Sequence, residues 1–203
     1  MVEQQRSTID REQRRQLVFK AQEIIAQDVP IAFFTYPKMP FVFNSKVWDS
    51  NTMVDAAGLG LKNFWTFVQA TPAGTVRDMI LNTPENVAAL NPLYLSGMAD
   101  SWATELIWDR LMRVGPDGLP KPWAAEHVTW KDPTTVEVKL RSGMKWHDGK
   151  PVTVDDVVFS FEAAGSDEVP MFKPFVRTIT KVEAVDTSTV RFTLKQPYAA
   201  FET

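Results

Sequence analysis

The stretch VEVKLRSGMKWHDGKPVTVDDVVFSFE, residues 136–162, decides how this chain folds. Val136, Val138 and Leu140 alternate with Glu137, Lys139 and Arg141, the two-residue period of a half-buried strand. Ser142-Gly143 ends it. Trp146-His147-Asp148-Gly149 makes a second turn, in which Gly149 can supply the positive φ that side chains resist. Pro151 stiffens the approach to a helix. Thr153 is its expected N-cap, Asp156 answers three residues on in a capping box, and Asp155 adds negative charge where the helix dipole favours it. Val157, Val158 and Phe161 give this short helix an apolar stripe.

Working outward, two hairpins flank the strand. One joins residues 127–130 to 135–140 across Lys131-Asp132-Pro133, and the other joins 180–185 to 189–194 across Asp186-Thr187-Ser188. Residues 165–174 read as a loop. Upstream, Gly115-Pro116-Asp117-Gly118 is a strong turn. A helix is expected over 102–114, with Leu106, Ile107, Arg110 and Leu111 on one side and Ser101 or Asp100 as its cap. Residues 86–101 form a long loop centred on Leu90-Asn91-Pro92, and Met79-Ile80-Leu81 a short strand. At the start of the chain, residues 10–28 read as an amphipathic helix capped by Asp10, with Gln13 in the box position. Leu17, Ala21, Ile24, Ile25 and Asp28 share a face expected to pack to the helix end, while Arg11, Arg14 and Arg15 read as a solvated face. Pro30 stops the helix. Short strands at 31–34 and 41–43 enclose a loop that Pro37 and Pro40 keep out of any central strand.

Composition excludes several classes. A net charge of −3 without a basic stretch argues against nucleic acid. The absence of cysteine removes disulfides, thiol catalysis and cysteine metal sites. No run approaches the ~20 apolar residues of a membrane helix, so any membrane association is peripheral. The polar opening MVEQQRSTIDREQRRQ has no apolar core of the kind that makes a secretory signal. No phosphate loop, nucleotide fingerprint or G-x-S-x-G is present, and no cofactor is expected. His127 and His147 are the only histidines. His147 beside Asp148 has the types of a base and its orienter, but adjacency in a turn favours local hydrogen bonds over catalysis. Asp155 and Asp156 are explained by their place at a helix start. Catalytic and metal sites are therefore both read as none.

LRSGMKWHDGKPVTVDDVVFSFE, residues 140–162, resembles the signature of the extracytoplasmic solute-binding proteins of peptide-type ABC transporters, the dipeptide- and oligopeptide-binding family. The pattern is a basic-glycine turn, an aromatic, His-Asp-Gly, a proline and a helix reading Asp-Asp-Val-Val-Phe-Ser. The opening resembles the same family at its other end. Asp10, Arg14, Leu17, Ala21, Gln22, Ile24, Ile25, Asp28 and Pro30, followed by an apolar run and Tyr36-Pro37, are similar to the family's C-terminal portion. ILNTPENVAALNPLYLSGMADSW, residues 80–102, is similar to the mature N-terminal portion. The expected organisation is therefore a C-terminal-like segment at 1–69, a small Pro/Gly-rich linker at 70–76 and an N-terminal-like segment at 77–203, packed as one lobe. A piece spanning two tandem modules, a rearranged or truncated frame and a permuted domain all fit this order.

The resemblance implies a mixed α/β fold, one incomplete lobe of a two-lobed periplasmic binding protein-like architecture. It implies capture of a solute, most often a peptide, without covalent chemistry, and delivery to ABC permease subunits in the periplasm or another extracytoplasmic space. The loop at 90–102 is the expected ligand-facing element: Tyr94 and Trp102 supply aromatic walls, Ser96 a hydroxyl and Gly97 open backbone, with Tyr36 as a further contact. Two alternatives to autonomous capture follow: pairing with another chain that carries the missing lobe, and a structural or interaction remnant that binds no solute alone.

Overall fold

The computed structural model describes residues 1–203 apart from 33, 36–39, 57–59, 77, 84, 170 and 203. In chain order the described residues form α1 (Val2–Ser7), α2 (Arg11–Asp28), a 3-10 turn (Ser50–Thr52), α3 (Phe64–Gln69) and α4 (Met98–Ile107). β1 (Met112–Val114), β2 (Pro120–Pro122), β3 (Ala125–Asp132) and β4 (Thr135–Leu140) follow, then α5 (Val154–Gly165), α6 (Lys173–Val176), β5 (Ile179–Ala184) and β6 (Thr189–Leu194). The fold is mixed α/β. Two compact units result, residues 1–36 with 122–203, and residues 37–121. The division crosses both similarity-based segments.

The first unit is built on the alternation at 136–140. β3 pairs with β4 and β5 with β6, and β4 joins β6, so the antiparallel order is β3-β4-β6-β5. Period-2 geometry sends Val136, Val138, Leu140, Val190, Phe192 and Leu194 to one face, all buried. α5 packs on this sheet, and its Phe161 ring meets Phe192 edge-on at 4.8 Å. Phe201 meets Phe192 at 5.3 Å and Trp130 at 5.8 Å, and the Trp130 indole donates to Glu202 (2.7 Å). The opposite face carries a cross-strand charge row. Glu137 accepts from Arg191 (2.8 Å) and pairs with Lys131 (3.0 Å), which holds its carboxyl below the usual range.

The corner between β4 and α5 forms as expected. Thr153 caps α5 in a full capping box with Asp156. Asp156 accepts from the Thr153 amide (2.7 Å) and hydroxyl (2.9 Å), and the Trp146 indole adds a third donor at 3.2 Å. Gly149 has φ +87° and its amide closes the turn on the Trp146 carbonyl at 2.9 Å. Asp148 accepts from the Lys150 amide (3.0 Å) and pairs with its ammonium (2.8 Å).

Several local expectations are corrected. Residues 31, 32, 34, 41–43 and 79–81 form no strand, and Phe34, Val42 and Ile80 are 90%, 92% and 92% exposed. Apolar runs become strands only where a neighbour takes their backbone groups, and among the described residues none does. The helix expected over 102–114 starts at Met98 and ends at Ile107, with Asp100 and Ser101 inside its first turn, while Val114 lies in β1. α5 runs on to Gly165, and α6 interrupts the expected loop at 165–174. α2 forms with Asp10 accepting from the Gln13 amide (2.8 Å), but no α2 side chain is buried. Leu17, Val18 and Ala21 are half-covered, whereas Ile24 and Ile25 lie on an open face. α2 packs against α1, yet none of its side chains is buried, so periodicity gave the helix but not its full burial.

Cap and core should differ in urea unfolding. Thr153→Ala is expected to cost about 1 kcal/mol and Phe192→Ala about 3–5 kcal/mol. Equal losses would contradict a unit held chiefly by the sheet–helix interior.

Candidate loop site at the start of α4

The loop ahead of α4 is hung on Asp100. This carboxylate is 1% exposed and sits in the first turn of α4, where backbone N–H groups and the dipole favour a negative charge. One oxygen accepts from the amides of Ala88 (2.7 Å) and Ala89 (3.1 Å). The other accepts from the Ser96 hydroxyl (2.7 Å) and amide (3.0 Å). The Ser96 hydroxyl, with the Ser96, Ala89 and Ala88 amides, holds the carboxyl well below the usual range against the opposing effect of burial. A loop of little regular structure is thereby gripped at both ends by one side chain.

A second carboxylate completes the helix start. Glu85 accepts from the Ala99 amide at 3.1 Å. Gly97, the N-cap, leaves room for it: a Cβ there would stand 2.2 Å from the same Glu85 oxygen. At the other end Arg113, 5% exposed, donates to the carbonyls of Glu105 (3.0 Å) and Trp108 (3.3 Å) and pairs with Asp109 at 3.7 Å. Its guanidinium lies 3.6 Å from the centre of the Phe64 ring. The Trp108 indole donates to the Leu90 carbonyl (3.0 Å), tying the loop to the end of α4 as well. Anion at the start and cation at the end both match the helix dipole.

The expected ligand-facing residues separate on this frame. Ser96, Gly97 and Trp102 come together at the start of α4. The Ser96 hydroxyl donates inward to Asp100, and the Gly97 carbonyl accepts from the Ser101 amide at 3.2 Å. Trp102 is half-buried, and the Lys62 ammonium stands 5.4 Å from its ring centre while donating to the Asn82 carbonyl at 2.7 Å. Tyr94 is 51% exposed, with its amide closing a turn on Asn91 at 3.0 Å. Tyr36 lies outside the described residues. Sequence reasoning missed Glu85 and Lys62 and gave Asp100 only the role of a cap. Ser96 four residues before Asp100 was a usable signal, but nothing local links Lys62 to a tryptophan so far along the chain.

Among the described residues no group of three His, Cys, Asp or Glu side chains stands ready for a metal. Glu85 and Asp100 are committed to N–H donors. The site's exposed chemistry is an aromatic ring, an ammonium and loop backbone, groups able to make non-covalent contacts with a polar molecule.

Residues 120–203 match the family model described as bacterial extracellular solute-binding proteins, family 5 middle. The chain is similar to a probable peptide-binding protein, YejA, of Agrobacterium fabrum, at 34% identity over 63% of this chain and 20% of that protein. Among solved structures it is similar to MoaA of A. tumefaciens R10 in complex with mannopinic acid (33% identity, TM-score 0.51, 55% of this chain and 24% of that one). It is likewise similar to NikZ of Campylobacter jejuni in complex with Ni(L-His) (30% identity, TM-score 0.51, 58% and 24%). The chain thus spans about a fifth to a quarter of the length of these relatives.

Two measurements check the frame. Glu85→Ala and Gly97→Ala should each cost about 1 kcal/mol through loss of the same cap, and the double variant little more than either alone. Full additivity would separate them. Because the Asp100 carboxyl titrates below its unfolded value, its stabilisation is complete above about pH 4 and is lost as pH falls towards the folded value. Asp100→Asn should therefore lower Tm at neutral pH, and the gap should close on acidification. Parallel Tm–pH curves would rule this out.

Proposed function

We propose that this chain, whose residues 120–203 belong to the family 5 bacterial extracellular solute-binding proteins, is part of the solute-capturing component of an ABC transporter. The carrying observation is that the matched segment contains the whole β3-β4-β6-β5 sheet and α5, joined by the Trp146–Asp156–Thr153 corner. The family is one of binding proteins, so no catalytic role is assigned. A peptide is the favoured solute, in line with the name of the Agrobacterium relative, and ABC permease subunits are the favoured partners. An extracytoplasmic place follows from the family description. Capture works by a population shift towards a closed state when the solute bridges two lobes.

The residues assigned to solute are Tyr94, Ser96, Gly97 and Trp102, with Tyr36 as a further contact; because Asp100 holds the Ser96 hydroxyl and amide, Ser96 is assigned through its carbonyl and not as the hydroxyl donor expected from sequence. The rigid hold of Asp100 and Glu85 on their loop supports this, because binding groups on a fixed frame lose less freedom on contact. In the same reading, residues 1–69 derive from the family's C-terminal part and 77–203 from its N-terminal part. Interlocking of the two within residues 37–121 supports it: the Trp65 indole donates to Val114 (2.9 Å), Arg113 stacks on Phe64, and Lys62 reaches Asn82. The segment 70–76 is anchored too, with the Asp49 amide on Thr71 (2.9 Å) and the Ala73 amide on Val47 (2.8 Å).

A second reading is favoured by the open apolar side chains Ile25, Phe34, Val42 and Ile80: the chain pairs with another that carries the remainder of the binding-protein fold.

The test is a titration of the isotope-labelled chain with Ala-Ala-Ala at millimolar concentration, followed by NMR. The Ser96, Gly97 and Trp102 amide signals should move together, with a dissociation constant weaker than micromolar because only part of the burial is present. A micromolar constant by calorimetry would contradict the partial-site reading. Shifts confined to other residues would contradict the loop assignment.

A further inference from the structure

We infer that Lys62, seated against Trp102, is a carboxylate-recognising point of the loop site, so that the solute it prefers carries a free carboxylate there. The inference rests on the loop reading above and adds a residue and a ligand chemistry to it.

Lys62 is held in place by its neighbours. It directly precedes Asn63, whose side chain caps α3 through the Thr66 amide (3.1 Å) and donates to the carbonyls of Gly60 (2.6 Å) and Val54 (2.7 Å). The backbone that carries the lysine is therefore fixed by three hydrogen bonds. Its ammonium has three donors. One reaches the Asn82 carbonyl, and the Trp102 ring lies within cation–π range. Both partners are uncharged, so they orient the ammonium without neutralising it.

Elsewhere on the surface Lys121, Lys131, Lys139, Lys150 and Lys181 each stand within 4 Å of a carboxylate of this chain. Among the described residues Lys62, like Lys20, Lys46, Lys145 and Lys195, has no such partner; what sets Lys62 apart is its seat against an aromatic ring in the loop frame. The carboxylates of the same loop frame are already spent on backbone amides, Glu85 on Ala99 and Asp100 on Ala88, Ala89 and Ser96. What remains at the start of α4 is a positioned, half-covered positive charge beside an aromatic ring. A carboxylate can accept the donors left on that ammonium in a charge-assisted hydrogen bond. The carboxylate can come from a peptide C-terminus or from an acidic side chain, and both present the same group.

The experiment follows the Trp102 indole N–H signal of the full chain during titration with three peptides. These are Ala-Ala-Ala, its C-terminal amide, and Ala-Glu-Ala with an amidated C-terminus. The free-acid peptide should bind about three- to tenfold more tightly than Ala-Ala-Ala amide. Lys62→Gln should erase that preference and Lys62→Arg should keep it. Preference for the glutamate peptide over the plain amide would support the inference with a side-chain source. Preference for the free acid alone would support it with a terminal source. Equal binding of all three peptides by the unaltered chain would overturn the inference and leave the loop reading standing. An acid preference that survives in Lys62→Gln would do the same. Absence of any response to all three would overturn both. The acid–amide comparison needs no variant, so it stands even if a substitution impairs folding.

Discussion

Backbone N–H groups closed by side-chain oxygens recur through this chain and fix the helix starts and turns that its interior does not reach. Asp10 closes the start of α2, Asp49 the 3-10 turn, Asn63 α3, Glu85 α4 and Thr153 α5. The same device makes the turns, where Asp117, Asp132, Asp148 and Asp186 each accept from the amide two residues on. An unsatisfied helix start or turn exposes donors that water must serve. A short polar side chain serves them locally and fixes the entry angle of the next element.

This reliance has an electrostatic corollary. Most of the closing groups are carboxylates that act as acceptors when ionised. Backbone and hydroxyl donors hold Asp132 and Asp186 below the usual range, and pairing with Lys150 does the same for Asp148. The structure is therefore linked to a common condition, ionised aspartates, at many points along the chain. Asp100 is the extreme case because it is buried and binds a loop at both ends. The loop that carries the proposed solute contacts and the frame that supports it share that carboxylate.

Helix α4 connects the loop frame to the proposed contacts. Glu85 and Gly97 close its start, and Arg113 satisfies carbonyls at its end. Lys62 and Trp102 meet on it from segments that are distant in sequence. A rigid helix with opposite charges at opposite ends gives the loop a fixed reference, the setting in which a few polar contacts can select a solute.

Strict local signals were legible in the sequence. Alternation at 136–140 and 189–194 specified two strands of the sheet, because a period of two leaves one face apolar wherever the backbone is extended. Thr153 with Asp156 specified a helix start, because a capping box involves only residues three apart. The motif at 140–162 specified its own corner for the same reason: its turn, indole and cap interact within one short stretch, which lies inside the segment that matches the family model. Tertiary structure decided the rest. Whether Met79-Ile80-Leu81 becomes a strand depends on a partner strand that local sequence does not contain, and Ile80 stays exposed. The start of α4 moved to Met98 because Glu85, far upstream, closes it and Gly97 admits the carboxylate. Ser96 turns inward to Asp100, and Lys62 meets Trp102 where α3 and α4 pack together. These are encounters between residues separated along the chain, and periodicity carries no information about them.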